Sequence, residues 1–116
     1  IQKNNQVLLK LHSRDLSFVL EEKFAKVFTT FESHRIRTNL VHNSAVNLYM
    51  AVDTSWHIDD AISELNAEGF DVEKIEDVEL VTIRYYNDEL YRKYAFDERI
   101  IIKQTTPHSL RFVRRK

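Results

Sequence analysis

Residues 35–52, Arg-Ile-Arg-Thr-Asn-Leu-Val-His-Asn-Ser-Ala-Val-Asn-Leu-Tyr-Met-Ala-Val, constrain the fold more than any other stretch. They read as two strands, at about 37–43 and 46–52, joined by a tight polar turn. In the second strand Val46, Leu48, Met50 and Val52 alternate with Asn47, Tyr49 and Ala51. A helical pattern flanks the pair on either side, so the turn belongs to a β-α-β-β-α-β unit. Asn39, Asn43 and Ser44 stand where the first strand ends. Their side chains can hold the amino and carboxylate ends of a small ligand without doing chemistry on it, which points to a sensing module. Asparagine and serine also populate hairpin turns for their own backbone hydrogen bonds, and composition alone leaves both readings open.

The flanking segments complete the pattern. Val7, Leu9 and Leu11 alternate with Leu8, Lys10 and His12, predicting a short opening strand with at least one buried face. After a polar loop at 13–17, Leu20, Phe24, Val27, Phe28 and Phe31 recur on one helical face. Burying each is worth roughly 1.5–3 kcal/mol, so this helix is expected in the core. Thr54 or Ser55 can cap a second helix, with Asp59 and Asp60 in its first turn and a stripe of Ile58, Ala61, Ile62 and Leu65. Gly69, the single glycine, is placed to end it. Phe70, Val72 and Ile75 open a fourth strand.

A second, shorter round then predicts a strand at 79–86 and a helix at 88–94 that Asn87 can cap. Two further strands, at 99–104 and 109–114, flank the lone Pro107. The expected class is α+β: a ferredoxin-like βαββαβ sandwich over 1–77, both helices on one face of an antiparallel sheet, then a reduced βαββ unit over 78–116 in a shared sheet.

Composition removes several function classes. Net charge is −1, so no global field draws the chain to nucleic acid or an anionic membrane. Arg111, Arg114, Arg115 and Lys116 read as a solvated basic end or a contact to a neighbouring domain, and no aromatic RNA-binding strand motif is present. No apolar run approaches the ~20 residues of a membrane span. Zero cysteines exclude disulfides and Cys-ligated metals and fit a reducing, cytoplasmic setting.

Histidines 12, 34, 42, 57 and 108 have no zinc-ligand spacing, so no metal is expected. His34 reads as a helix C-terminal cation or a partly exposed polar residue. His12-Ser13-Arg14-Asp15 contains hydrolase residue types, but four loop neighbours do not supply a nucleophile, a base and a third orienting group. An acylphosphatase-like hydrolase on this sandwich would need a glycine-rich phosphate loop, which residues 13–18 lack. The chain does not begin with Met and is expected to be a piece of a longer protein.

At these residues the chain resembles the C-terminal regulatory region of monofunctional aspartate kinases, built from ACT domains. Val7-Leu8-Leu9-Lys10-Leu11-His12-Ser13 is similar to the first ACT strand and its His-Ser ending, and Phe24-Ala25-Lys26-Val27-Phe28 to the helix that follows. The stretch from His34 through Asn39-Leu40-Val41-His42-Asn43-Ser44-Ala45 to Val46 is similar to the family's H-x-I-x-V-D-L-I-x-T-S-E-V segment. Glu79-Leu80-Val81-Thr82-Ile83 resembles the strand opening the second ACT unit, and residues 100–113 its closing hairpin.

The resemblance implies feedback control of an N-terminal kinase domain that phosphorylates aspartate with ATP and magnesium. It places no catalysis and no cofactor in this segment. An end-product amino acid, lysine first and threonine second, would bind at a homodimer interface and inhibit the kinase. Its pocket would lie between Ser17, Phe18, Val19 and Leu20 and the strand end at Asn39, Val41, His42, Asn43 and Ser44. Asn39 stands where the family has Asp, and Ala45 where it has Glu. A buried ammonium without an anionic partner costs several kcal/mol. Asp15, Glu21 or Glu22 would have to supply the charge for lysine, whereas threonine has a neutral side chain. Without an effector, the module would serve dimerisation alone.

Overall fold

Val7, Leu9 and Leu11 are at most 4% exposed, and so is Leu8 between them, so the first strand is covered on both sides. The reason lies in the sheet. The structure, a computed structural model, describes residues 2–14, 21–44 and 47–116. In chain order the elements are β1 (Gln2–Ser13), α1 (Glu21–Ser33), β2 (Thr38–Asn43), β3 (Asn47–Asp53), α2 (Ile58–Ala67), β4 (Phe70–Arg84), α3 (Asp88–Tyr94), β5 (Ile100–Thr105) and β6 (Ser109–Arg115). Among the described residues, six strands form one antiparallel sheet in the order β2-β3-β1-β4-β6-β5.

The expected sandwich is present. Val27 and Phe31 of α1 and Ile58, Ala61 and Leu65 of α2 share one buried cluster with Val7, Leu9, Leu11, Leu48, Met50 and Val52. Both helices therefore cover one face. On the opposite face Leu8, Leu40 and Ala51 meet Val78, Leu80, Ile102 and Val113, so the sheet curls until its second half covers the back of its first. A third cluster, Val81, Ala95, Leu110 and Phe112, is partly covered by Tyr91 and Tyr94 from α3.

Several expectations need correction. The strands opened by Phe70 and proposed for 79–86 are one strand, β4, 15 residues long. Its charged run from Glu73 to Asp77 resembles a loop in sequence, yet most of those side chains face solvent while the backbone pairs with β1. An irregularity in that pairing, with Asn5 and Asp77 at φ 56° and 57°, resets the alternation so that Ile75 and Val78 both reach the back cluster. The 77/78 boundary falls inside this strand. β1 is also longer than read, because the polar Gln2 and Lys3 pair with Val81 and Leu80.

In α1, Phe28 is 42% exposed: it lies at the margin of the Phe24–Val27–Phe31 stripe, and Leu20 lies outside the described residues. Neither Thr54 nor Ser55 caps α2. His57 is the N-cap without a side-chain bond, and Ser55 Oγ instead accepts from the His57 amide at 3.1 Å. His34, just past α1, is partly exposed, as one of its two readings has it, and its Nε2 lies 2.7 Å from Glu64 Oε2 of α2. Gly69 ends α2 at φ 96°, as its position implied.

Asn87 caps α3, its Oδ1 accepting from the Leu90 amide at 2.8 Å. Because α3 buries no residue fully, this cap holds an unusual share of its stability. Asn87→Ala is expected to cost about 1 kcal/mol locally. Amide exchange across 88–94 should accelerate while β1 stays protected; unchanged exchange in α3 would contradict this.

Candidate functional site

The strand end singled out in sequence is built around a bulge. In the β2–β3 pairing Thr38 faces Val52 and Leu40 faces Ala51, so Asn39 is the extra residue. Its side chain turns onto the sheet's back side, where Gln6 of β1 and Asp53 of β3 face each other in register. Asn39 Nδ2 donates to Gln6 Oε1 at 2.9 Å and to Asp53 Oδ1 at 2.7 Å. Gln6, only 3% exposed, donates through Nε2 to the same Asp53 oxygen at 2.8 Å. The Lys3 ammonium completes the knot, 3.1 Å from Asn39 Oδ1 and 3.4 Å from Asp53 Oδ1. Burial works to raise the Asp53 pKa. Hydrogen bonds from Gln6 and Asn39 and the charge of Lys3 outweigh it and hold the carboxyl below its ordinary 3.8.

The neighbouring candidates divide between the two sides of the sheet. Val41 pairs with Met50 and Asn43 with Leu48, which places both on the helix-bearing side. His42 pairs with Tyr49 on the other side, the two rings 6.1 Å apart. Ser44 sits in the turn, its amide bonded to Asn47 O at 2.9 Å and its side chain exposed. The side chains of Asn39 and Asn43 therefore do not converge; what these positions share is the edge of β2. Ser17, Phe18, Val19 and Leu20, the other half of the expected pocket, lie outside the described residues, as do Asp15 and Ala45.

Two residues that the sequence did not single out for binding act on this edge. Arg111 Nη2 of β6 donates to the Asn39 carbonyl at 2.7 Å, and Gln104 Nε2 of β5 donates to the Val41 carbonyl at 2.6 Å. The curl brings the two sheet ends together, and side chains rather than a backbone ladder bridge them. Arg111 is thus engaged within the sheet and not part of a solvated basic end, and the same holds for Arg114. It is half-buried and bonded to Glu79 Oε1 at 2.6 Å and Asp97 Oδ2 at 3.0 Å. No local motif marks such residues, because their partners lie 17 to 72 positions away.

Where β1 ends, a cleft of about 420 Å³ is lined by Ser13, Arg14, Lys23, Lys26, Glu68 and Gly69. Lys23 Nζ donates to Ser13 Oγ at 2.8 Å, and Arg14 is held by Asp71 at 3.0 Å and the Asn66 carbonyl at 2.7 Å. These groups are a hydroxyl, three cations and the Glu68 carboxylate that pairs with Lys26, suited to binding by hydrogen bond and charge.

A βαββαβ sandwich whose last strand continues into a reduced βαββ unit on the same sheet is an arrangement shared with known structures. More particularly, the chain has the fold of aspartate kinase regulatory regions. It superposes on Escherichia coli aspartokinase III in complex with lysine and aspartate (T-state) with TM-score 0.77 and 23% identity, covering 97% of this chain and 28% of that one. The regulatory subunit of aspartate kinase from Thermus thermophilus gives 0.74 and 14%, covering 99% and 85%. That from Thermus flavus gives 0.72 and 13%, covering 99% and 86%. The chain thus spans about a quarter of the whole enzyme and most of the separate regulatory subunits. No protein-family model matches the sequence. No curated protein sequence matches it either. No helix among the described residues is long and apolar enough to cross a membrane.

Proposed function

We propose that this chain is the amino-acid-responsive regulatory region of an aspartate kinase, whose N-terminal kinase domain uses ATP and magnesium. The observation that carries this reading is the likeness over 97% of the chain to an enzyme whose structure holds lysine and aspartate. The effector, lysine or threonine, lies between residues 17–20 and the β2 end. Val41 and Asn43 support that placement, since they face the side of the sheet that carries α1. The region works as a homodimer, with the effector at the interface between copies.

The Asn39 side chain is turned to the back of the sheet, where Gln6, Asp53 and Lys3 engage it. On the α1 side, β2 therefore offers no carboxylate to the side-chain ammonium of lysine, whereas threonine brings no second ammonium. Titration calorimetry of the chain with lysine, threonine and methionine is the test. One of the first two should bind with a dimer as the binding species. Ser44→Ala should weaken it several-fold, the worth of one hydrogen bond at roughly 0.5–1.5 kcal/mol. Silence for all three amino acids would overturn the proposal.

A further inference from the structure

A second polar cavity lies on the back of the sheet and shares Lys3 and Asn39 with the knot described above. It has a volume of about 230 Å³ and is lined by Lys3, Arg37, Asn39, Leu80, Thr82 and Arg111. The register explains the assembly. Lys3 of β1 pairs with Leu80 of β4, and Arg111 of β6 pairs with Thr82 of β4, so these four side chains share one face of three adjacent strands. Leu80, 3% exposed, forms the floor. The curl then carries β2 across the top, where Arg111 holds the Asn39 carbonyl at 2.7 Å, and Arg37, just before β2, closes the ring.

Three cations from three separate segments therefore surround one small cavity in a chain of net charge −1. Among the described residues, Asp53 is the carboxylate ion-paired to any of them, through Lys3, and Arg37 and Arg111 form no ion pair. Three like charges gathered with one carboxylate as counter-charge repel one another. Two guanidinium groups and an ammonium beside a threonine hydroxyl form a donor set matched to an oxyanion. The cavity falls short of the roughly 300–1,000 Å³ of sites for larger ligands, but a single anionic group fits.

We infer that this cavity is an oxyanion site, taking the phosphate or carboxylate group of a small solute by the Arg37–Arg111–Lys3 ring. Because Arg111 also holds the β2 edge, occupancy there tightens the closure between the two sheet ends. The inference does not depend on an amino acid binding at the outer end of β2.

The experiment titrates the full chain with sodium phosphate and, separately, with sodium succinate, at ionic strength held constant with chloride, while amide NMR shifts are followed. Saturable shifts of Thr82, Arg111 and Asn39 are expected with at least one anion, and which anion acts identifies the source of the oxyanion. Arg37→Gln, at an exposed position, should fold normally and weaken the binding roughly tenfold, as loss of a charge-assisted hydrogen bond predicts. Shifts no larger than chloride gives, saturation at other residues, or unchanged affinity in Arg37→Gln would each overturn the assignment.

Discussion

Phe31→Ala is expected to lower the unfolding free energy by about 3–5 kcal/mol, the range for truncating a buried phenylalanine. Phe31 is 2% exposed and joins α1 to both the sheet and α2, in a cluster with Val27, Met50 and Leu65. Marginal domains hold only about 5–15 kcal/mol in total, so the variant should lie close to its unfolding midpoint at physiological temperature. Urea denaturation followed by circular dichroism measures the difference. A loss below roughly 1.5 kcal/mol would mean that α1 does not depend on this contact. Phe28→Ala is the internal control: 42% exposed on the same helix, it should cost far less.

Arg114→Met should cost about 3 kcal/mol, for a different reason. It leaves the carboxylate of Glu79, 5% exposed, without its cation in a place water hardly reaches. The figure sits at the low end of that class because Gln2 still donates to Glu79.

The pH dependence separates this cause from lost packing. Burial pushes the Glu79 pKa up, but the bonds from Arg114 and Gln2 more than offset it, so the carboxyl titrates below its ordinary 4.5. Asp97 is likewise lowered, by the side chain and the backbone amide of Arg99. With folded pKa values below unfolded ones, the unfolded chain binds more protons on acidification. Native stability is therefore complete above the unfolded values and declines as pH falls through the folded ones. In Arg114→Met, burial acts with less opposition and the Glu79 pKa rises. The deficit of the variant should then shrink as pH falls through its raised Glu79 value, where the unpaired carboxyl takes up a proton. A deficit independent of pH would assign Arg114 a purely packing role.

Periodicity carried most of the fold. The alternation in β3, the Val27–Phe31 and Ile58–Ala61–Leu65 stripes, Asn87 as a cap and Gly69 as a terminator are local signals, and each appears where its chemistry places it. The failures have one physical cause. Whether a charged run is a loop or the solvent face of a strand depends on what pairs with its backbone, and β1 lies some 70 positions from the Glu73–Asp77 run. In the same way, Leu8 gives no sign that β5 and β6 will fold over it.

The candidate site was legible as a polar strand end but not as a bulge. Asn39 is extra in the register, and only the pairing with β3 shows that. Lys3, Gln6, Asp53, Gln104 and Arg111, which hold that strand end in place, belong to four other strands. Their roles emerge from the curl of the sheet, a property of the whole chain.

Among the described residues, one unbroken strand, β4, joins the two halves of the sheet. A 15-residue strand at about 3.3 Å per residue would run about 50 Å if straight, and the long axis of the molecule measures 46 Å. β4 is thus a common spine whose first half is clasped by β1 and whose second half carries β6. Severing the spine at its midpoint would leave two raw sheet margins, each inviting promiscuous pairing with other chains.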